Sequence, residues 1–397
     1  MPTVGEGAVR VRPVIHAITP GDHFSPLTGS AIPTVVHGLA SAAARAAEPV
    51  PQSVLVDRAT MQPRYDSAAA IEYDRGPWLR RNDRALDLAR GRLGLPRTAT
   101  ARFHGDVAEA LRDVEPSFVL AHNAPVLPGL LRDTPHVVVL YAHNDVLRTY
   151  RRGEARRALD RVAGIISVSR ALAAQLKDSL PSSLADRVHV VGNGVDVERF
   201  RPADDLGRRS DADATRTLRV AFVGRVIPEK GPDVLLRAAK LLSRDDVEFT
   251  VVGSHGFARD AALSGYEQEL RRLAEESGAR VRFEPFVDRE ALPRLLRELD
   301  VFVVPSRWPD PCPLTAGEGM ASGVPVIASR IGGLPEVVGD AGILVPPDDP
   351  NALAAAIGRL ADDPAERVRR AAAARSHAVA HDWSWAWSNL RSVLEEL

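Results

Sequence analysis

The stretch that decides the fold is VFVVPSRWPDPCPLTAGEGMASGVPVIASRIGG, residues 301–333. A short apolar run leads into a proline-rich turn, a helical segment begins near Leu314, and a second apolar run follows. This order predicts a strand–helix–strand unit of a parallel sheet. The first backbone N–H groups of such a helix have no partner within the helix. We therefore expect Leu314 and Thr315 to donate to an anion such as a diphosphate, whereas Pro313 has no N–H to donate.

Two carboxylates lie on either side of that predicted helix start. Asp310 is in the turn before the helix, and Glu318 is one turn inside it, with seven residues between them. The two side chains can reach opposite ends of one elongated ligand whose phosphates lie over the helix start. In the alternative interpretation, Asp310 is an ordinary turn residue and Glu318 interacts only with the dipole of the first helical turn.

The same alternation of short apolar runs and longer amphipathic segments continues along the chain. Strands are predicted over 14–19, 118–122, 136–143, 164–169, 218–224, 247–253, 281–286, 301–306 and 324–329. Helices are predicted over 33–47, 78–92, 105–113, 170–179, 231–243, 262–277, 289–298, 315–322, 350–361 and 381–397. The pattern predicts an α/β protein with two doubly wound, parallel-sheet, Rossmann-like domains. Ligands of such sheets lie at the carboxyl ends of the strands, here in the cleft between the domains.

Chain length and one polar segment suggest the domain boundaries. A chain of 397 residues is long enough for two cores of similar size. Residues 201–217 are polar without an apolar period, and they are predicted to link a first domain over 1–200 to a second over 218–378. The aromatic-rich segment 379–397 is expected to form a helix that packs back on the first domain. Its alternative role is to close the second domain.

Composition excludes several classes of function. The 51 basic and 52 acidic residues leave a net charge of −1, which argues against a nucleic-acid or anionic-membrane binder. A single cysteine excludes a disulfide framework and a multi-cysteine metal site, and it suits a reducing compartment. The start of the chain lacks the apolar core of a signal peptide, and no apolar run is long enough to cross a membrane. We therefore expect a cytoplasmic protein.

A second candidate for phosphate binding follows the first predicted strand of the second domain. In VAFVGRVIPEKGPDVLLRAAKLL (220–242), Arg225 and Lys230 flank a loop that precedes an amphipathic helix. Only three lysines occur in the whole chain. A lysine kept in this arginine-rich background suggests a need for its compact ammonium group, which could clamp a phosphate together with Arg225. The alternative is a solvated pair of loop charges.

Four segments in this order resemble the retaining family-four glycosyltransferases of GT-B architecture, and the resemblance covers nearly the whole chain. The segments are VGNGVDVERFRP (191–202), FVGRVIPEKG (222–231), PSRWPDPCPLTAGEGMASGVPVIAS (305–329) and GGLPEVVGDAGILVPPDD (332–349). The resemblance implies transfer of a sugar from a nucleotide-sugar donor, without a bound metal or another cofactor. Within the family, the chain is similar to aminoglycoside-biosynthesis and spore-coat-type members.

The resemblance also implies roles for residues around the donor sugar. His143, at the end of a predicted strand, matches the family's histidine that hydrogen-bonds the donor sugar, with His122 as the alternative. Asp310 stands where the family has glutamate and is expected at the sugar hydroxyls, and Glu318 is expected at the ribose hydroxyls. Gly29, in place of the first glycine of the family's Gly-Gly pair, is expected near the donor phosphate or the acceptor.

The nucleotide base is expected to rest on the main chain near Phe286 and Val287, which suits uracil and favours a UDP-sugar. The predicted activity is therefore retaining transfer of a hexose or N-acetylhexosamine, with GlcNAc favoured, to a soluble hydroxylated acceptor. An aminocyclitol of aminoglycoside antibiotic biosynthesis is one candidate acceptor. The alternatives are a transferase of cell-surface polysaccharide or glycolipid synthesis and a UDP-sugar epimerase or hydrolase of the same fold.

Overall fold

The computed structural model describes residues 12–202, 217–256 and 262–397. Most of the predicted linker over 201–217 lies outside the described residues, as does the start of the chain on which the expectation about a signal peptide rests. The described segments contain two separate, entirely parallel sheets. The predicted class, two doubly wound α/β domains, is confirmed.

The first sheet has seven strands in the order β3-β2-β1-β4-β5-β6-β7. Its strands are β1 Val14–Ala17, β2 Gln52–Asp57, β3 Ala69–Tyr73, β4 Phe118–His122, β5 Val137–Ala142, β6 Gly164–Ser167 and β7 Val188–Val190. The strand order reverses between β1 and β4, which pair directly with each other. A crevice at the carboxyl ends of these strands is therefore the expected ligand position of this domain.

The second sheet has six strands in the order β10-β9-β8-β11-β12-β13. Its strands are β8 Leu218–Val223, β9 Val247–Val252, β10 Arg280–Glu284, β11 Val301–Val304, β12 Val326–Ser329 and β13 Ile343–Val345. The reversal here lies between β8 and β11. The segments after these two strands contain the two sequence signals for phosphate binding.

Helices cover both sheets, and most predicted helices end within three residues of their observed bounds. The helices of the first domain are α1 Ala31–Arg45, α2 Arg81–Arg92, α3 Thr98–Phe103, α4 Gly105–Ala110, α5 Leu127–Leu130, α6 Arg152–Ala158, α7 Arg170–Ser179 and α8 Ser182–Ala185. The later helices are α9 Pro232–Leu242, α10 Gly265–Ser277, α11 Leu292–Arg297, α12 Leu314–Ala321, α13 Leu334–Val338, α14 Pro350–Asp362, α15 Pro364–Ala380 and α16 Trp383–Glu396. Single-turn 3₁₀ helices occur at Pro228–Lys230 and Gly339–Ala341.

The last helix, α16, packs on the first domain. Trp383, Trp387 and Leu390 are buried in the core that contains β5 and α1. A Cβ atom on Gly38 of α1 would lie 2.2 Å from the Trp383 ring, so a glycine is needed for this close approach. The helix therefore joins both domains, because α15, immediately before it, packs against α12.

Candidate active site between the two domains

A cavity of about 380 Å³ opens between the carboxyl ends of the two sheets. It brings together residues that are far apart in the chain and that the sequence singled out. Nine of the ten predicted site residues line it: Gly29, His143, Arg225, Lys230, Phe286, Val287, Asp310, Leu314 and Thr315. The cavity therefore joins both sequence signals of the second domain to two positions of the first.

The second domain contributes a positively charged wall. Helix α12 begins at Leu314 after the extended Pro313, so its first N–H groups open into the cavity. Arg225 is exposed after β8, and Lys230 ends the 3₁₀ turn that follows. The turn depends on Gly231, which has φ of 69° and whose Cβ would lie 2.1 Å from the Pro305 carbonyl oxygen. This wall provides two cations and a helix N-terminus, which is the chemistry that binds a diphosphate.

A buried ion pair, absent from the sequence predictions, holds the loop that contains Lys230. Both guanidinium N–H₂ groups of Arg307 donate to the Asp233 carboxylate over 2.6 Å each, and the Tyr266 hydroxyl donates to the same carboxylate over 2.6 Å. Burial works against the charge of Asp233, yet the bonds from Arg307 and Tyr266 outweigh it and lower the Asp233 pKa. The backbone N–H groups of Arg307 and Trp308 donate to the Glu229 carbonyl over 2.9 and 3.2 Å. The two loops that are predicted to bind phosphate are therefore connected to each other.

The turn that contains Asp310 is fixed on both sides. The Lys230 ammonium donates to Asp310 Oδ2 in an ion pair. On the other side, the Gly333 backbone N–H donates to the Asp310 carbonyl over 2.8 Å. The carboxylate is therefore partly neutralised where it faces the cavity, and Lys230 retains further N–H groups for a phosphate.

Glu318 is the one predicted site residue that does not line this cavity. Its side chain lies in an adjoining cavity of about 480 Å³ that shares Arg289 and Leu314 with the first. Arg289 Nη2 donates to Glu318 Oε1 over 2.6 Å, whereas the buried Oε2 has no hydrogen-bond partner among the described residues. Burial opposes the charge of Arg289, but the adjacent Glu318 outweighs it and raises the guanidinium pKa. The unpartnered oxygen leaves a place for a hydroxyl donor.

The first domain contributes an uncharged wall. His143 follows β5, and its backbone N–H donates to the Asn123 side-chain oxygen over 2.8 Å. Its ring Nε2 lies 2.7 Å from His122 Nδ1, so the two candidate histidines are in contact and only His143 lines the cavity. Burial is the main cause that lowers the His143 pKa, to about 3. His143 is thus a neutral hydrogen-bonding group at ordinary pH.

The loop that contains Gly29 ends at the start of α1. Ser30, the residue before that helix, donates through Oγ to Asp22 Oδ2 over 3.0 Å and does not cap the helix with its side chain. Burial is the main cause that raises the Asp22 pKa. The His23 backbone N–H also donates to Asp22, to Oδ1 over 3.0 Å. A negative group therefore lies close to the cavity on the side of the first domain.

Cys312 lines the cavity but shows no sign of a reactive thiolate. Burial raises the pKa of its thiol to about 12, and Asn193 Nδ2 donates to its backbone carbonyl over 3.4 Å. The thiol stays protonated at neutral pH, and a thiol is a weaker nucleophile than a thiolate. Its placement agrees with a packed turn residue.

Four polar residues that support the site were not singled out from the sequence: Arg289, Arg307, Asp233 and Gln52. All four have partners more than 25 residues away in the chain, and no local spacing marks such pairs. Asp233 had a weak local signal as an acidic residue in the first turn of α9.

The described residues contain neither a cluster that could hold a metal ion nor a helix that could span a membrane. No group of three or more His, Cys, Asp or Glu side chains is placed there to hold a metal ion. No helix in the described part of the chain is long and apolar enough to cross a membrane. Activity without a metal stays a prediction.

Models of two glycosyltransferase families match the chain. The model described as "Glycosyltransferase Family 4" matches residues 32–199, and the one described as "Glycosyl transferases group 1" matches residues 217–363. The two matches follow the two domains. Both matched segments contribute residues that line the candidate active site.

Several curated proteins from bacteria are similar to this chain. The D-inositol 3-phosphate glycosyltransferase of Corynebacterium glutamicum is 32% identical over 328 residues, covering 75% of this chain and 77% of that protein. The spore coat protein SA of Bacillus subtilis is 31% identical over 298 residues, covering 70% and 78%. The D-inositol 3-phosphate glycosyltransferase of Thermomonospora curvata is 40% identical over 215 residues, or 50% of this chain, and the chain spans about half (49%) of that relative.

Solved structures share the architecture. HepE of Anabaena, in a crystal structure with UDP and glucose, superposes with a TM-score of 0.71 at 18% identity, covering 97% of this chain and all of the other. At this identity the likeness shows the fold alone. Together with the family models and the relative aligned over three quarters of its length, it establishes that the chain belongs to the group 1, family 4 glycosyltransferases, built on the two-domain GT-B architecture.

Proposed function

We propose that this protein transfers a hexose or N-acetylhexosamine, GlcNAc in the first instance, from a UDP-sugar to a small hydroxylated acceptor with retention at the anomeric carbon. The observation that carries the proposal is the cavity between the domains. There the cationic wall with Lys230 and the start of α12 faces the neutral His143 across a space large enough for a nucleotide sugar. HepE, a structural neighbour, is named as a complex with UDP and glucose, which supports a UDP-linked donor.

Each wall of the cavity has its own part in this reaction. The α12 N–H groups, Arg225 and Lys230 stabilise the negative charge that develops on the departing UDP. Asp310 meets the sugar hydroxyls, and the free oxygen of Glu318 accepts from the ribose. Phe286 and Val287 line the cavity on the side proposed for uracil. His143 hydrogen-bonds the transferred sugar.

Retention is proposed to occur by front-face substitution. The acceptor oxygen bonds to the anomeric carbon on the face from which the phosphate oxygen leaves, and that departing oxygen takes the acceptor proton. The carboxylate nearest the cationic wall, Asp310, is engaged by Lys230, which does not favour it as a covalent nucleophile. No metal is required for charge stabilisation in this scheme.

The proposed acceptor is a cyclitol. Two relatives are named for D-inositol 3-phosphate, which supports this class of acceptor. The Asp22 carboxylate, which accepts a hydrogen bond from the cavity-lining Ser30, favours a cationic aminocyclitol, such as those of aminoglycoside antibiotics, over a phosphorylated one. Against a lipid acceptor, α1 is covered by α16 and so has no free apolar face for a bilayer. The single cysteine suits the cytoplasm as the place of this reaction.

The proposal is tested with the full chain, a panel of UDP-sugars and three acceptors: an aminocyclitol, an inositol phosphate and a glycolipid. Mass spectrometry identifies the product, and the proton coupling at the new anomeric carbon gives its configuration. We expect an α-linked aminocyclitol product from UDP-GlcNAc, formed at least about 100-fold more slowly by Lys230→Ala. Conversion of the UDP-sugar without any acceptor would instead identify an epimerase or a hydrolase.

A further inference from the structure

Three histidines lie side by side at the carboxyl ends of neighbouring strands in the first domain. His16 is on β1, His122 ends β4, and His143 follows β5. His16 Nδ1 lies 2.9 Å from His122 Nε2, and His122 Nδ1 lies 2.7 Å from His143 Nε2. His16 is 0% exposed and His122 is 1% exposed. These contacts form a buried histidine chain that ends at the candidate active site.

The far end of the histidine chain is anchored by an amide whose orientation is set by its own neighbour. Gln52 Oε1 lies 3.0 Å from His16 Nε2, and Gln52 Nε2 donates to the Val50 carbonyl over 3.2 Å. A carbonyl can only accept, so the amide nitrogen must face Val50 and the amide oxygen must face His16. Gln52 is 8% exposed, which leaves little room for water to replace this anchor.

The direction of every hydrogen bond along the histidine chain follows from the orientation of the Gln52 amide. Because the Gln52 oxygen accepts, His16 must donate through Nε2 and then accept at Nδ1 if its ring is neutral. His122 in turn donates through Nε2 and accepts at Nδ1. His143 then donates through Nε2, which leaves Nδ1 as an acceptor. No hydrogen-bond partner of His143 Nδ1 occurs among the described residues.

All three histidine rings are neutral, so each has one donor nitrogen and one acceptor nitrogen. Burial is the main cause that lowers the pKa of His16 to about 4 and that of His143 to about 3. Burial likewise lowers the pKa of His122 well below its usual range. A neutral imidazole has one donor and one acceptor. The fixed Gln52 oxygen at one end therefore determines the tautomers of all three histidines.

We propose that Gln52, His16 and His122 are positioning residues that hold His143 in the Nε2–H tautomer, so that its Nδ1 accepts a hydrogen bond from a hydroxyl of the transferred sugar. This rests on the proposed function, because it assigns the atom through which His143 meets that sugar. In the Nδ1–H tautomer, His143 would instead donate a hydrogen bond and would need an acceptor atom on the sugar. Residues 21 to 127 positions away from His143 in the sequence thus set the hydrogen-bonding character of one atom in the site.

The first test reads the tautomer directly, without substrate. The full chain is labelled with ¹⁵N-histidine, and two-bond ¹H–¹⁵N correlation spectra distinguish a protonated from an unprotonated Nδ1. We expect the Nε2–H form for His16, His122 and His143. Gln52→Met removes the anchor and should give mixed tautomers at His143, whereas Gln52→Glu restores an acceptor and the single form. If Gln52→Met fails to fold, His16→Leu interrupts the chain and should give the same result.

The second test asks whether the tautomer matters for transfer. Gln52→Met should lower kcat about two- to threefold, less than His143→Ala does, because mixed tautomers leave only a fraction of the molecules with Nδ1 free to accept, and UDP affinity should not change. The matched control is His136→Leu in the same domain. His136 is buried, its Nε2 lies 2.9 Å from the Leu111 carbonyl oxygen, and it has no hydrogen bond to the histidine chain. This variant should leave both the His143 tautomer and kcat unchanged.

Two results would overturn the inference: an Nδ1–H form of His143 in the unaltered protein, or an unchanged kcat when Gln52→Met mixes the tautomers. Neither depends on the identity of the acceptor. Failure of the proposed function looks different, because then no UDP-sugar is transferred by the unaltered protein although the tautomer spectra still read as expected.

Discussion

The two walls of the cavity differ in charge: the wall from the second domain is charged, and the wall from the first domain is neutral. The wall from the second domain presents Arg225, Lys230 and the start of α12, and its supporting contacts are ion pairs. The wall from the first domain presents His143, supported by uncharged hydrogen bonds. A diphosphate carries charge that must be balanced, whereas a sugar hydroxyl needs only a donor or an acceptor in the right place. The contrast predicts that substitutions in the charged wall have larger effects than those in the neutral wall.

The largest effect is expected where a charged pair is most deeply buried. Glu318 is 3% exposed, and Glu318→Ala leaves the Arg289 guanidinium without its partner. We expect the free energy of unfolding to fall by about 3–5 kcal/mol, as for other broken buried pairs. Denaturant unfolding measures this. The double variant Glu318→Leu with Arg289→Met should recover most of the loss, and a loss that remains would mean that the pair is not its source.

The milder change Glu318→Gln keeps a hydrogen-bond acceptor beside Arg289 and addresses ligand binding. It keeps the size of the side chain while weakening its acceptor toward the ribose. Calorimetry with plain UDP should show affinity reduced by roughly tenfold, the scale of a hydrogen bond to a charged group. Unchanged UDP affinity would show that Glu318 does not bind the ribose and only pairs with Arg289.

The next effect concerns the lysine of the charged wall. Lys230→Ala should lower the rate of transfer about 100-fold or more, because one lost charge-stabilising donor costs about 2.7–4 kcal/mol of transition-state stabilisation. The natural control is Lys240→Ala, since Lys240 is exposed in the last turn of α9 away from the cavity. Equal rates for the two variants would contradict a role of Lys230 at the diphosphate.

A smaller effect is expected in the neutral wall. His143→Ala removes one hydrogen bond between uncharged groups, worth about 0.5–1.5 kcal/mol, so the chemical step should slow by up to roughly tenfold. Affinity for plain UDP should not change, because UDP lacks the transferred sugar. Single-turnover kinetics and calorimetry measure the two quantities. Weakened UDP binding would place His143 at the nucleotide and reverse the roles of the two walls.

The smallest effect is the pH response of the neutral wall. A histidine with an ordinary pKa near 6.5 would be protonated as pH falls below that value, and transfer would then decline. The His143 pKa of about 3 is lowered mainly by burial, so its neutral form persists until the pH approaches 3. A plot of kcat/KM against pH between 5 and 8 should therefore contain no step that His143→Ala abolishes. Such a step near pH 6.5 would show that the ring is accessible to protons.

Prediction from the sequence worked best where the signal is local. Helix α7 and the start of α14 agree with the prediction to the residue, and in the structure the side chains of Ser169 and Asp349 cap their first turns. Strand β3, half exposed at the sheet edge, was not predicted, because it lacks a continuous apolar run. Strand β13 has only three residues, and helix α15 has a weakly apolar face, so neither produced a clear period.

For the candidate site, the sequence by itself determined which loops of the second domain line the cavity. The strand–turn–helix pattern over 301–333 and the loop before α9 are contiguous, so their residue types alone indicate anion binding, and nine of the ten residues chosen this way or by family resemblance line one cavity. The partners of those residues were decided by the tertiary structure. Arg289 meets Glu318, and Gln52 meets His16, only because separate strands and helices end at the same place. Hydrogen bonds and ion pairs act over a few ångströms in space, whereas sequence patterns report neighbours along the chain, so the packing of the sheets decides the charge and tautomer of the groups that face the ligand.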